Sequence, residues 1–319
     1  MRQFDRQYRF AAGPPGGTGF EIGETSLESP TALHINFTID KCDTETPNTS
    51  KISLWNLNKE HLAILNEKDC LVTLKAGYDN HIALIFVGTV THITTELDGA
   101  DRETSIELAD GRVELRDTYV SLSYSGAINQ KKIIEDIATE MGVAVTFSYN
   151  VEFYTFNGFS VIGPCSAALD KACASNDLTW QIQNGVLQIK RNRDTMTREV
   201  YILSPETGLI NIPKRINYGK DGTGADDQPG WEVQYLMNGA IAIGDFVRFE
   251  SKHVQGYFRV RSIEMNGDNL SGDCLVPFIL VSIVSPSTVV SFTRCLLYIR
   301  PPFLPGLAAG LGLFTRYAM

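Results

Sequence analysis

Apolar residues that alternate with polar ones, in runs closed by glycine turn signals, constrain the fold of this chain most strongly. The alternation runs through residues 33–39 and returns at residues 246–249 and 256–263. A period of two is typical of paired strands that bury one face. The chain is therefore predicted to build its core from antiparallel sheet.

The C-terminal stretch, residues 203–273, indicates which side chains such strands would bury. Strict alternation places Phe258 and Val260 on the face opposite Ile263. Asn266-Gly267 is a hairpin turn signal, and it predicts a turn at that point. Nothing in the stretch resembles a catalytic motif, so it is predicted to be a small antiparallel barrel segment built for assembly.

The N-terminal third carries the same strand pattern. Glycine-rich residues 13–19 lack the Gly-Lys-Ser/Thr ending of a phosphate-binding loop and precede a strand pattern, so they predict a hairpin loop. Asn58 is predicted to cap a short helix, and Asp98-Gly99 to form a turn. His34 falls on the polar face of its strand, as a solvated or interface residue. Strands are predicted at residues 4–12, 33–39, 51–57, 70–78, 82–95, 105–109 and 119–124.

The middle of the chain changes from strand to helix periodicity. Residues 128–141 predict a helix that ends at Gly142, and residues 166–174 predict a second helix. Asn184-Gly185, between two apolar runs, is the strongest hairpin signal in the chain. The basic run at residues 190–193 is predicted to be a solvated strand end rather than a nucleic-acid patch. Together these signals predict a small α+β module.

The last segment has an unusual composition. Residues 274–319 contain no Asp, Glu or Lys, and prolines interrupt every apolar run. No stretch is long enough for a transmembrane helix. The segment has three possible interpretations: a buried oligomer interface, a membrane-associating tail, or a tail in which the reading frame has changed. The loss of strand patterning after Asp273 favours the last.

These patterns define a fold class and a domain division. The fold is predicted to be mainly β with an α+β insert, in which two antiparallel β-barrels flank a small α+β middle module. The predicted units are residues 1–125 for the first barrel, 126–198 for the middle module, 199–285 for the second barrel and 286–319 for an atypical apolar tail. A polar loop at residues 219–230 is a candidate for disorder or for contact with a neighbouring subunit.

Charge and cysteine usage limit the function classes. The net charge of −9 argues against a protein that grips nucleic-acid phosphates, but it suits a surface that DNA slides past without sticking. The six cysteines have no Cys-x-x-Cys spacing and are predicted to be free thiols. The N-terminus has no apolar signal-peptide core, so synthesis in the cytoplasm is expected.

No residue pattern predicts catalysis. Residues 158–163 match a nucleophile elbow only loosely, because the second glycine comes one position late. A Cys165–His253 pair has no supporting motif. The aspartates considered for a calcium loop lack the required register; they are Asp98, Asp101 and Asp110. The chain is therefore predicted to be a non-enzyme with no catalytic, cofactor-binding or metal-binding residues and no cofactor.

Several segments, in one order along the chain, resemble a known family. Residues 46–58 resemble the segment of polar loop, strand, Asn-Leu and short helix in tailed-phage baseplate hub proteins, a family of contractile injection systems. Residues 178–187 are similar to that family's middle module. Residues 207–210 with Pro213, residues 244–245, 256–260 and 267–273 are similar to its last barrel. The resemblance covers roughly residues 4–273.

The resemblance implies a structural role in the virion. Such hubs are homotrimers whose chains each carry two tail-tube-like barrels, so that six barrels meet the hexameric tail tube. The implied partners are the tail tube protein, the central spike and other baseplate proteins, and DNA passes through the lumen without specific binding. No membrane contact is expected unless the C-terminal tail inserts. Cys274 stands where relatives have an aromatic residue, which removes the family's pattern for the last strand of the second barrel.

Two alternatives remain open at this point. The chain could be a tail-associated peptidoglycan-binding or cell-wall-degrading protein, with residues 126–198 as the glycan-binding module. It could also be a tail-tube or tail-terminator subunit, which would form six-fold rings rather than trimers.

Overall fold

The computed structural model describes residues 6–23, 32–42, 48–78, 81–111, 117–191, 194–196, 200–218, 228–237, 239–252, 254–270 and 275–282. The strands are β1 Arg6–Gly13, β2 Phe20–Gly23, β3 Ile35–Cys42, β4 Thr49–Trp55, β5 Leu71–Tyr78, β6 His81–Asp98, β7 Asp101–Ala109, β8 Tyr119–Asn129, β9 Ala144–Phe147, β10 Thr155–Pro164, β11 Leu178–Gln183, β12 Val186–Arg191, β13 Val200–Leu203, β14 Lys214–Tyr218, β15 Gln228–Leu236, β16 Phe246–Glu250, β17 Gln255–Asp268 and β18 Leu275–Ser282. The helices are α1 Lys59–Leu65, α2 Gln130–Met141 and α3 Cys165–Cys173, followed by a 3-10 turn at Ala174–Asn176.

Most strands belong to one large sheet, so the predicted mainly-β class is confirmed. Its thirteen strands run in the order β14-β15-β18-β17-β3-β4-β7-β6-β5-β1-β2, with β16 beside β17 and β13 beside β16. Within the described residues the order ends at β2 and β14 and does not close on itself. The two closed barrels of the sequence interpretation therefore stay a prediction.

The N-terminal and C-terminal strands meet at a single junction. Residues 262–268 of β17 pair antiparallel with β3, while residues 255–259 of the same strand pair with β16. One buried apolar cluster runs across this junction and includes Phe10, Ile39 and Ile52 from the N-terminal strands and Phe249 and Val260 from the C-terminal ones. The two β segments thus share both a sheet and a core.

Asn266-Gly267 lies inside β17 and is not the turn that the sequence predicted. Gly267 stands opposite Phe37 of β3, and a Cβ atom built on it would lie 2.3 Å from that ring. The glycine is therefore explained by the close approach of an aromatic ring across the junction, which a larger side chain would block.

A β-bulge also overturns the predicted division of faces in β17. The register against β18 shifts between Val260 and Ser262. An extra residue in one strand resets which side chains point inward. Phe258 and Val260 before the shift, and Ile263 after it, are consequently all buried in the core.

The middle of the chain has its own core. Helices α2 and α3 pack with the three-stranded sheet β11-β12-β9 and the two-stranded sheet β10-β8 around buried residues that all lie between positions 120 and 189. The caps and the hairpin are confirmed: Gly142 ends α2 with φ 72°, and Asn184 and Gly185 turn with φ 52° and 76°. Asn58 likewise caps α1, accepting a hydrogen bond from the amide of His61 at 2.7 Å.

Strand β8 differs from its predicted place. The sequence grouped residues 119–124 with the N-terminal strands, but β8 pairs with β10, a strand that was not predicted. Val120 accordingly belongs to the middle core. Strand patterns carry no information about which partner a strand will choose, because the partner is selected by packing.

The end of the chain contains a strand where the sequence predicted a loss of strand pattern. Residues Leu275–Ser282 form β18, which pairs with β15 on one side and β17 on the other. A strand with partners on both sides can carry a continuous apolar run instead of an alternation. Residues 228–230 of the loop predicted at 219–230 belong to β15. Residues 219–227 and the tail at 286–319 lie outside the described residues, as does most of the segment 274–319 to which the three interpretations apply.

The hairpin turn of the middle module is hydrogen-bonded to charged residues of the N-terminal β segment. Asp110 accepts hydrogen bonds from the amides of Asn184, at 2.5 Å, and Gly185, at 3.0 Å. Lys41 donates to the Asn184 side chain at 2.9 Å. Asp110 and Lys41 are both buried, and burial lowers the pKa of Lys41 to about 8, an effect that the nearby Asp110 charge opposes.

The basic run at residues 190–193 differs from the predicted solvated strand end at its first residue, and residues 192–193 lie outside the described part of the chain. Lys190 is 2% exposed, and its amino group reaches Gly244, where a Cβ atom would lie 3.0 Å from it. Arg191 pairs with Glu152 at 3.1 Å. Lys190 therefore lies between the middle module and the C-terminal β segment, whereas the Arg191–Glu152 pair is internal to the module. That the run is not a nucleic-acid patch stays a prediction.

Candidate functional site

The outward side chains of β17, β3, β4, β7 and β6 form a continuous polar surface, here called the acidic face. Alternate residues of a strand point to opposite faces, and the inward residues of these strands, such as Ile39, Ile52 and Ile106, are fully buried. The cross-strand register joins the outward positions into rows. They include Asn36, Thr38, Asp40, Lys51, Thr94, Glu96, Asp98, Glu103, Glu107, Glu264 and Asp268.

Carboxylates on the acidic face stand directly opposite one another. Asp40 faces Glu264 across the β3–β17 junction, and Glu96 faces Glu103 across the β6–β7 hairpin. Like charges in such positions destabilise a sheet. The pKa of Asp40 is raised by its partial burial first and by Glu264 second. This arrangement does not stabilise the sheet, so it points to a role for the surface charge.

One end of the acidic face carries a stacked histidine and tryptophan. The rings of His34 and Trp55 lie 3.9 Å apart at 21°. His34 also contacts the carboxylate of Asp268 at 3.1 Å, and the Trp55 indole donates to Asp98 at 3.1 Å. The His34 side chain, directly before β3, is 25% exposed and is therefore mostly covered by these contacts. It links the start of β3 to β4 and β17.

The residues considered for nucleophilic catalysis do not form a site in the part of the chain that is described. Cys165 is fully buried at the start of α3, and burial raises the pKa of its thiol to about 11, with a smaller effect from Glu140. A protonated, buried thiol is a poor nucleophile. His253 lies outside the described residues. Residues 158–163 lie within β10, so Ser160 is in a strand and not at the strand-to-helix turn of an elbow.

The aspartates considered for a calcium loop have structural roles in two different hairpins. Asp110 holds the hairpin turn, while Asp98 and Asp101 belong to the β6–β7 hairpin. The loop at 13–19 joins β1 to β2 in an antiparallel hairpin, as predicted. Among the described residues no group of three or more His, Cys, Asp or Glu is arranged to hold a metal ion. The same residues contain no helix long and apolar enough to cross a membrane.

The spacing of polar residues within single strands is a sequence signal for the acidic face. Glu103 and Glu107 are spaced by an even number of residues within one strand, as are Thr94 and Glu96. Even spacing puts side chains on one face. Their union into one surface required the β17–β3 pairing, which joins residues more than two hundred positions apart.

Known structures share this fold at low sequence identity. The 43 kDa tail protein of prophage MuSo2 from Shewanella oneidensis is 11% identical, with a TM-score of 0.60 over 86% of this chain and 98% of that one. A tail protein from Neisseria meningitidis is 10% identical, with a TM-score of 0.55 over 86% and 96%. The E. coli c3393 protein, a type VI secretion component described as similar to T4 tail proteins gp27 and gp5, is 10% identical, with a TM-score of 0.55 over 81% and 76%.

Likeness at this low sequence identity shows the fold alone, and a match to a family model shows the family. No curated protein sequence matches the chain. The model of the family described as baseplate hub gp41 matches residues 48–264, which is more than half of the chain. The resemblance drawn from the sequence is thereby confirmed, and the location in the virion tail baseplate with it. The chain belongs to the baseplate hub gp41 family and is a structural protein of the phage tail baseplate.

Proposed function

We propose that this chain is the hub that joins the tail tube to the central spike, as a homotrimer, and that its acidic face lines the channel through which DNA passes. The observation that carries the proposal is the unbroken run of this face from the N-terminal strands to β17. A channel wall needs a polar surface that continues from strand to strand, and this one extends across the β3–β17 junction.

The charge of the face suits passage without binding. DNA phosphates are attracted to lysine and arginine and repelled by carboxylates. A wall with Asp40, Glu107 and Glu264 exposed on it would keep the duplex from sticking. The overall charge of −9 has the same sign.

The division into tube-like units is part of the same proposal. Each β segment would correspond to one tail-tube-like barrel, within the predicted bounds 1–125 and 199–285. The module predicted at 126–198 would lie on the outside and would also include β8, which pairs with β10. Three chains would then present six units to a hexameric tube. The shared core of the two segments supports a fixed spacing between the units of one chain.

Charge reversal on the acidic face tests the channel assignment. Particles assembled with the hub variant Asp40→Lys/Glu107→Lys should eject DNA several-fold more slowly, because each lysine attracts phosphates. The delay should shrink as salt rises. The measurement is DNA release from purified particles after triggering, followed by fluorescence of a DNA-binding dye.

A matched variant, Glu60→Lys/Glu140→Lys, changes the net charge equally at exposed positions in α1 and α2 and should eject like the wild type. Unchanged ejection from normally assembled Asp40→Lys/Glu107→Lys particles would contradict the channel assignment. If that variant does not assemble, the purified protein offers a second readout: it should retain double-stranded DNA at low salt, and the wild type should not.

A peptidoglycan-binding role of the middle module is the second candidate, and exposed aromatic rings favour it. Tyr149 and Tyr154 are both exposed large side chains of that module, and tyrosine rings combine an apolar face with a polar edge. Co-sedimentation of the full chain with cell-wall sacculi, compared with the variant Tyr149→Ser/Tyr154→Ser, distinguishes this role. A tail-tube subunit would instead give six-fold rings of single chains in particle images.

A further inference from the structure

The two β segments repeat one pattern of strand pairing. The long strands β6 and β17 each pair with one neighbour along their first half and with another along the second. Each has a register shift at the same point, between Val90 and His92 in β6 and between Val260 and Ser262 in β17. The shift therefore aligns Val90 with Val260, and every residue of β6 with the residue 170 positions later.

The neighbouring strands follow the same alignment. Thr89 faces Leu71 of β5, and the equivalent Arg259 faces Phe246 of β16. On the other side, β7 corresponds to β18, since Val90 faces Leu108 and Val260 faces Leu280. Strand β5 thus corresponds to β16, and the equivalence holds on both edges of the long strand.

The alignment continues outward to the two edge strands. Lys51 of β4 faces Glu107, and Glu232 of β15 faces the equivalent Ile279. Next, Thr38 of β3 faces Lys51, and Lys214 of β14 faces Glu232. Strand β14 is therefore the counterpart of β3, with Lys214 in the place of Thr38.

The β3–β17 junction shows how one unit joins the next. Strand β3 pairs with residues 262–268 of β17, on the edge that β16 leaves free. The equivalent stretch of β6 is residues 92–98, and within the described ranges no strand pairs with its edge on the β5 side. Within the same described ranges, β15 is the one strand that pairs with β14. Among the described residues of a single chain, the counterparts of the two joined edges are thus both open.

We propose that β14 of one copy pairs antiparallel with residues 92–98 of β6 in a second copy, in the register of the β3–β17 junction. In that register Thr38 faces Asn266 and Asp40 faces Glu264. Between copies, Lys214 then faces Glu96 and Ile216 faces Thr94. The contact continues the sheet from one chain into the next, so that Lys214 and Ile216 of one copy adjoin the acidic face of its neighbour.

Charge and exposure at the two edges are independent of the alignment, and both fit the contact. Lys214 and Arg215 are exposed on β14, and Glu96 and Asp98 on β6, so the edges have opposite charge. Two of the most exposed large apolar side chains also stand here, with Leu97 77% exposed on β6 and Ile212 69% exposed just before β14. Opposite charges across paired strands stabilise the pair, and an open edge strand otherwise invites aggregation.

The contact is head-to-tail, because each copy offers β14 and receives at β6. A head-to-tail contact forms a ring when its rotation closes. The number of copies rests on the proposed function: in a trimer, three such contacts alternate with three β3–β17 junctions to give six equivalent positions around the channel.

Engineered disulfides test the register. Residues directly opposite in antiparallel strands have Cα atoms about 4.5–5.5 Å apart, a distance that a disulfide spans. The variant Glu96→Cys/Lys214→Cys, oxidised with copper phenanthroline, should give a ladder of covalent oligomers that ends at the closed ring on a denaturing gel. Each single variant controls for the native cysteines, and Thr94→Cys/Lys214→Cys, out of register by two residues, should cross-link at least several-fold less.

Charge swapping gives a readout that does not need a new covalent bond. Glu96→Lys and Lys214→Glu should each lower the oligomer fraction in sedimentation velocity at low salt, and the double variant should restore it. Two results would overturn the strand contact while leaving a trimeric hub intact. One is cross-linking that occurs only in the out-of-register variant, and the other is an oligomer fraction that neither charge reversal lowers. Failure of the proposed function is distinguishable, because the wild-type protein itself would then be monomeric or form rings other than trimers.

Discussion

At the scale of single residues, a buried charge pair holds the middle module in place. Lys41 lies in β3 and Asp110 directly after β7, and together they make three hydrogen bonds to the turn at Asn184-Gly185. Desolvation makes each charge costly, and the contacts with the turn offset that cost. An apolar pair of similar volume would carry no desolvation penalty. The contribution of Lys41 and Asp110 therefore lies in orienting the hairpin turn rather than in raising the free energy of unfolding.

The pH dependence of unfolding follows from Lys41. Burial lowers its pKa from 10.5 to about 8 in the folded chain, so between these pH values the unfolded chain binds more protons. The contribution of Lys41 to the free energy of unfolding therefore rises with pH through this window, by at most about 3 kcal/mol, and the penalty is complete below about pH 8. The buried thiols of Cys70 and Cys165, whose pKa values are raised, act in the opposite direction above about pH 9. Urea denaturation at several pH values should therefore show the rise as a change in the stability difference between the wild type and Lys41→Met, because the thiols contribute equally to both.

The variant Lys59→Met is the matched control, since Lys59 is exposed on α1 and should leave the rise unchanged. Equal slopes in the wild type and Lys41→Met would show that Lys41 is not desolvated in solution.

At the scale of elements, the β3–β17 junction depends on two local features of one strand. The bulge after Val260 turns both Phe258 and Ile263 into the core, and Gly267 leaves room for the ring of Phe37. Each feature breaks a simple strand pattern. They occur in a strand whose second half lies between β18 of the C-terminal segment and β3 of the N-terminal segment.

A methyl group at Gly267 should weaken the junction. Gly267→Ala places a Cβ atom against the Phe37 ring, and such overpacking typically costs about 1–3 kcal/mol. The cost should fall in a Phe37→Leu background, because the smaller side chain leaves space. A double-mutant cycle of urea unfolding measures the coupling, and equal costs in the two backgrounds would rule out the steric explanation.

At the scale of the whole molecule, the chain has two cores that differ in how far they reach along the sequence. The middle core uses residues between positions 120 and 189 only, whereas the other joins strands from both ends of the chain. The module is thus an insertion into one β structure. Contacts of such long sequence separation form slowly and cooperatively, because the loop between them must close first.

Fragments should reflect this difference. Residues 117–196 contain a complete core and are expected to fold alone, with a cooperative thermal transition by circular dichroism. Residues 1–116 lose the β17 partner of β3 and part of their core, so they are expected to remain unfolded or aggregate through the open edge. A cooperative transition in 1–116, matching that of the full chain, would contradict the shared core.

Local sequence signals were sufficient where the determining interactions are local. The caps at Asn58 and Gly142 and the hairpin at Asn184-Gly185 follow from side-chain hydrogen bonds and left-handed backbone conformations that depend on a few neighbouring residues. The ordered set of soft motifs was also enough to indicate the hub family, which the family model bears out. The acidic composition came from the sequence as well, but without a place in the fold.

The sequence by itself determined the strand-rich class, the helical module and the local turns, because these depend on periodicity and on short-range contacts. Only the tertiary structure decided that Asn266-Gly267 continues a strand, that residues 119–124 join the middle module, and that Leu275–Ser282 form a strand between two others. It also decided that scattered carboxylates form one face. The physical reason is the same in each case: strand partners are chosen by packing between residues far apart in the chain, and local pattern does not encode that choice.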